Sequence, residues 1–104
     1  MILCTSDEVA GKEVKETLGM VRGNTIRARG VGYDILAGIR NIFGGEIKDY
    51  TKMMSDSRDQ AVQRMVEEAE SLDADGVISI RFTTSSTMGS AAEILVYGTA
   101  VKFS

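Results

Sequence analysis

The sequence predicts an α+β domain: an antiparallel sheet of about four strands with two helices on one face, in the order ββααββ. Three observations carry that expectation. Apolar and polar residues alternate near both ends of the chain, and apolar residues recur at helical spacing between Ile35 and Leu72. No Pro-, Ser- or charge-rich stretch divides the 104 residues, so one domain over 1–104 is expected.

The first element is a short apolar entry, Ile2-Leu3-Cys4, which ends in the turn-like cluster Thr5-Ser6-Asp7-Glu8. From Glu13 the chain reads as extended, with Val14, Glu16, Leu18 and Met20 on one side and Glu13, Lys15 and Thr17 on the other. Gly19, Gly23 and Asn24 interrupt this run and predict a bulge or bend, after which Thr25 to Arg29 continues the strand.

Past Gly30-Val31-Gly32 the period changes. Ile35, Leu36, Ile39, Ile42 and Phe43 fall on one stripe of a helix about three turns long, which Gly44-Gly45 is expected to end. A longer second helix follows, with Ile47, Tyr50, Met54, Ala61, Met65, Ala69 and Leu72 on its apolar face and a stop at Asp73-Ala74-Asp75-Gly76. Ser55-Asp56-Ser57 has low helix propensity and is expected to loosen it.

The last third is β. Ile78, Ile80 and Phe82 alternate with Val77, Ser79, Arg81 and Thr83, and Ser85 to Ser90 is the expected flexible connection. The final strand, Glu93 to Phe103, carries Leu95, Tyr97, Thr99, Val101 and Phe103 on one face and Ile94, Val96, Gly98 and Ala100 on the other. Both faces are largely apolar, so the strand should be central or covered on both sides. With few elements to supply that cover, the outward face predicts contact with another copy of the chain.

Composition narrows the partners. A net charge of −3, with twelve scattered Lys and Arg, offers no overall attraction to nucleic acid or to an anionic membrane surface. A single cysteine excludes an intrachain disulfide and points to the reducing interior of a cell. The three apolar residues after Met1 and the longest aliphatic or aromatic run, Ile94 to Tyr97, are too short for an export signal or a membrane-spanning segment.

Four ordered segments carry a resemblance. Gly44-Gly45-Glu46 before Tyr50-Thr51, Arg58 to Met65, Ala74 to Phe82 and Tyr97-Gly98-Thr99-Ala100-Val101 together resemble the YbjQ-like family of small prokaryotic proteins, over essentially the whole chain. The resemblance implies a dodecin-subunit-like fold, assembly as a ring-shaped homo-pentamer and a cytoplasmic location. It also brings the family's label, "putative heavy-metal-binding".

The residues present constrain that label. Zinc, copper and cadmium favour thiolate or imidazole, usually several together, and the chain has no His and one Cys. Cys4 is therefore the only candidate soft ligand, and only the convergence of several copies could cluster it; the plainer reading is a small buried hydrophobe.

Arg27, Arg29, Gly30 and Gly32 precede an expected helix start, where backbone N–H groups and the helix dipole attract phosphate or carboxylate; turn glycines and solvated arginines are the plainer reading. Tyr50 and Tyr97 are candidates to stack on a planar ligand between subunits, against the plainer reading of packing. Asp73, Asp75 and Glu93, with Glu67, Glu68 and Glu70, offer hard oxygens but lack the spacing of a calcium loop.

With no His, a Ser or Cys nucleophile lacks its usual base, so no enzyme is predicted, and no cofactor is specified. The expectation is a non-enzymatic homo-oligomer that holds a small ligand or metal ion at subunit interfaces. The alternatives are a heavy-metal-binding protein or a purely structural interaction module.

Overall fold

In the computed structural model the described residues are 1–28, 45–87 and 91–104, with side chains described outside 27–28, 45–50, 86–87 and 91–92. They form strands β1 (Ile2–Leu3) and β2 (Val14–Ala28), helix α1 (Gly45–Ser71), and strands β3 (Gly76–Thr87) and β4 (Ala91–Phe103). The sheet runs β1-β3-β4-β2. As its doubly apolar pattern predicts, β4 is central and pairs antiparallel with β2 on one side and β3 on the other.

This corrects the expected antiparallel ββααββ arrangement with two helices. The sheet is mixed, because β1 pairs parallel with β3, Ile2 opposite Gly76 and Leu3 opposite Val77. One helix stands among the described residues, and the helix expected over Ile35 to Phe43 lies outside them. Gly45, expected to end a helix, instead opens α1. The parallel pairing has a simple cause: β1 and β2 occupy opposite edges of the sheet, so the chain between them crosses its breadth instead of turning back as a hairpin.

That crossing segment lies on the face away from α1. Cys4 exchanges main-chain hydrogen bonds with Val77 and Ile80, Ser79 donates its amide to the Ser6 carbonyl, and Lys12 Nζ sits 5.7 Å from the centroid of the Phe103 ring. Val101 and Ile78, which point to this face, are buried. Part of the cover expected from another copy is thus supplied by the chain itself.

The core lies between the sheet and α1. Ala61, Met65 and Ala69, one turn apart along the helix, meet Val21 of β2, Val77 and Ile80 of β3, and Ile94, Val96 and Ala100 of β4. Small residues on both sides bring the layers close. At Gly23 a side chain would strike the Ala61 carbonyl and the Met65 amide, so the strand lies directly against the helix backbone. Beside it, the buried Thr25 hydroxyl donates to the Ser57 carbonyl at 3.3 Å. The helix runs unbroken through Ser55-Asp56-Ser57, which corrects the expected loosening: Ser57 is fully buried there, and tertiary contact outweighs weak propensity.

Three bulges reset the alternation that the sequence suggests, the first of them in β2 between Val14 and Glu16. In β2 the pairing slips between Thr17 and Gly19, with Gly19 at φ 125°, so that Leu18 packs against the core and Val21, three residues on, enters it. In β3 it slips between Ile78 and Arg81, with Ser79 at φ 55°, so that Val77 and Ile80 share the core face while Ile78 turns to the other. The expected face of Ile78, Ile80 and Phe82 is therefore split. β3 also runs on to Thr87, into the stretch expected to be a flexible connection, and residues 88–90 lie outside the described residues.

Helix α1 ends as a Schellman motif. The Ala74 amide donates to the Ala69 carbonyl and the Asp73 amide to the Glu70 carbonyl, with Asp73 in the left-handed region at φ 61°. Asp75 then ties the exit to the sheet: its amide donates to the Val101 carbonyl and its carboxylate accepts the Phe103 amide.

The molecule is long for its size. Its Cα radius of gyration is 16.8 Å, with extents of 54 × 26 × 17 Å, against about 13 Å for a compact chain of this length.

Candidate functional site

The crossing segment covers only one end of the sheet face opposite α1. Beyond it Met20, Ile26 and Tyr97 are 65%, 59% and 38% exposed, with Leu95 and Thr99 half-buried between them. Cross-strand register places these side chains together: Met20 is opposite Thr99, Asn24 opposite Leu95 and Ile26 opposite Glu93.

At the middle of this face Tyr97 of β4 is opposite Arg22 of β2 on one side and Arg81 of β3 on the other. The three side chains form one row across three strands, all exposed. Arg81 is anchored, since its Nη1 donates to the Thr5 and Ile80 carbonyls, both at 2.8 Å. Arg22 uses its amide, which donates to Glu68 Oε1 at 3.3 Å, while the one ion pair among the described residues is Lys102 with Asp73. The Arg22 guanidinium therefore has no carboxylate partner among the described residues.

The sequence-predicted candidates are dispersed. Tyr97 lies in the row just described. Cys4 is half-buried at the end of β1, its thiol 3.6 Å from the Ser6 carbonyl oxygen. Arg27 stands in β2 opposite Ala92 and Tyr50 stands in α1, with side chains outside those described; Arg29, Gly30 and Gly32 lie outside the described residues altogether.

Five of the six candidate carboxylates have structural partners. Asp73 pairs with Lys102, Asp75 holds the Phe103 amide, Glu93 accepts from Asn24 Nδ2, Glu68 accepts the Arg22 amide and Glu67 accepts from Gln63 Nε2. Among the described residues no three His, Cys, Asp or Glu side chains gather where they could share a metal ion. No helix there is long and apolar enough to cross a membrane.

Arg22 and Arg81 were missed from sequence. Arg81 sits beyond the single bulge of β3, so counting by twos from Gly76 does not assign it to the face that Tyr97 occupies, whereas the two bulges of β2 cancel and Arg22 keeps the parity of Val14. Only the pairing register with β4 brings them together.

Known proteins share this architecture. A crystal structure of a protein of unknown function from Pediococcus pentosaceus ATCC 25745, assigned to the DUF74 family, superposes with a TM-score of 0.66 at 19% identity, covering 100% of this chain and 98% of that one. Curated relatives are closer in sequence. UPF0145 proteins of Halorubrum lacusprofundi, Methanosarcina acetivorans and Archaeoglobus fulgidus are 65%, 54% and 56% identical over 98% of this chain and 98%, 96% and 94% of their own lengths. A family model described as "Putative heavy-metal-binding" matches residues 1–104, and on this evidence the chain belongs to that YbjQ family.

Proposed function

We propose that the protein works as a non-enzymatic homo-oligomer that holds a small ligand where its copies meet. The observation that carries this reading is the apolar sheet face of Met20, Ile26, Leu95 and Tyr97 opposite α1, which no other described element covers. Exposed apolar surface of this kind, rimmed by Arg22, Asn24 and Arg81, is what association buries.

Two further features support it. From Arg81 to Ser85 the β3 residues are exposed, and no described strand pairs with their outer edge, which leaves main-chain donors and acceptors for an added strand. The elongated shape, with extents of 54 × 26 × 17 Å, leaves a large surface that neighbours would cover. A ring of five follows from family resemblance, not from this geometry.

The test is light scattering coupled to size exclusion at micromolar concentration, on the wild type and on Met20→Lys/Ile26→Lys. A discrete oligomer that the double substitution dissociates is the expected result; a wild-type monomer overturns the proposal. The family description favours a second reading, metal binding through Cys4 gathered from several copies. Equal zinc, copper and cadmium uptake by wild type and Cys4→Ser would remove it.

A further inference from the structure

We propose that the row Arg22–Tyr97–Arg81 binds a planar aromatic ring bearing a phosphate or carboxylate; this names the ligand class of the junction site and rests on the reading above. Strand pairing sets the geometry. Side chains directly opposite each other across neighbouring strands have Cβ atoms about 5 Å apart, so the two arginines flank Tyr97 across about 10 Å. The ring of Tyr97 stands between the two. A ligand that satisfies the row therefore lays a ring on Tyr97 and reaches an arginine with its anionic group.

Charge and available donors agree with that ligand. The chain carries a net charge of −3, yet this row holds two cations and no acid. Among the described residues two carboxylates lie on the face nearby: Glu93, four residues along β4 from Tyr97 and about 13 Å away, held by Asn24 Nδ2 at 3.1 Å, and Asp7 of the crossing segment, whose Oδ1 accepts the Ser79 hydroxyl at 2.7 Å. Glu68 meets the amide of Arg22, not its guanidinium. Arg81 is fixed through Nη1 by two carbonyls, which leaves its Nη2 and Nε donors for a ligand and orders the side chain in advance. The neighbours of Tyr97 on the same face, Leu95 and Thr99 along β4 and Met20 and Asn24 across on β2, are uncharged and suit the edges of a ring.

The test uses phenyl phosphate, naphthyl phosphate and adenosine monophosphate. Their uncharged parents, phenol, naphthol and adenosine, serve as controls together with inorganic phosphate. Binding is followed by calorimetry and by amide NMR shifts. The charged aromatics should shift the amides of Arg22, Arg81 and Tyr97 and bind at least about ten-fold more tightly than either the parents or phosphate alone. Arg22→Gln and Tyr97→Leu, both at exposed positions, should each weaken binding about ten-fold while the rest of the spectrum is retained.

Equal affinity for charged and uncharged aromatics, unchanged affinity in both variants, or no binding by any charged member overturns the proposal. Light scattering on the same samples separates the two readings: an oligomer that ignores these ligands sinks the ligand class alone, and a monomer sinks the self-association.

Discussion

Arg64 donates from Nη1 to the main-chain carbonyl of Asn24 at 2.6 Å, across the outer edge of β2. One helical turn on, Glu68 accepts the Arg22 amide on the same edge. Helix α1 thus guards a strand edge as well as covering the core, and two main-chain groups that could pair with a foreign strand are occupied.

Removing that guard should have two effects. Arg64→Ala/Glu68→Ala is expected to lose about 1–2 kcal/mol in urea denaturation. It should also aggregate faster on agitation, read by thioflavin fluorescence. If stability and aggregation both match wild type, the edge contacts contribute nothing.

The close approach at Gly23 makes a sharper prediction. Gly23→Ala places a methyl group against the Ala61 carbonyl and the Met65 amide, so α1 must move off the strand. A cost of about 1–3 kcal/mol is expected, seen as a lower urea midpoint at unchanged slope. An unshifted midpoint would mean that helix and strand are not packed backbone to backbone.

At the end of α1 the expected change is in the other direction. Asp73 holds a left-handed conformation that glycine adopts without a Cβ penalty. Asp73→Gly gives up an exposed ion pair with Lys102, which contributes little in water. The melting temperature should hold or rise by about 2–5 °C. A clear fall would show that the ion pair outweighs the conformational gain.

Lys102 carries its own pH signature. A hydrogen bond to Asp73, followed by the charge of that carboxylate, holds its pKa above the ordinary 10.5. Because the folded value is the higher one, any stabilisation is complete below 10.5 and fades as pH rises through the folded pKa. Thermal scans at alkaline pH should show wild type losing its advantage over Lys102→Met across that window, with no change in the difference near neutrality. A difference that stays constant as pH rises through that window would refute the assignment.

Some of this architecture was legible in the sequence, for identifiable reasons. β4 alternates without interruption from Ile94 to Phe103, and its central place follows from apolar residues on both faces. Met54, Ala61, Met65 and Ala69 keep helical spacing, and the stop after Ser71 falls at the expected acidic turn. The faces of β2 and β3 were not legible, because the extra residue in β3 inverts every later assignment, the two in β2 invert it and then restore it, and Ser79 is an unusual residue for positive φ. The partner of β1 was not legible either, since two residues cannot specify parallel or antiparallel pairing. Tyr97 was found as an aromatic on a strand face, but its two arginine neighbours depend on register between distant segments, which local periodicity does not encode.

The position of β4 also shapes how the chain must assemble during translation. The strand that joins both halves of the sheet is synthesised after the other described strands, so β2 and β3 have no partner between them until it emerges. Until then Val21, Val77 and Ile80 lack part of the surface they are built to meet, and a ribosome-bound nascent chain is at its stickiest just before β4 emerges.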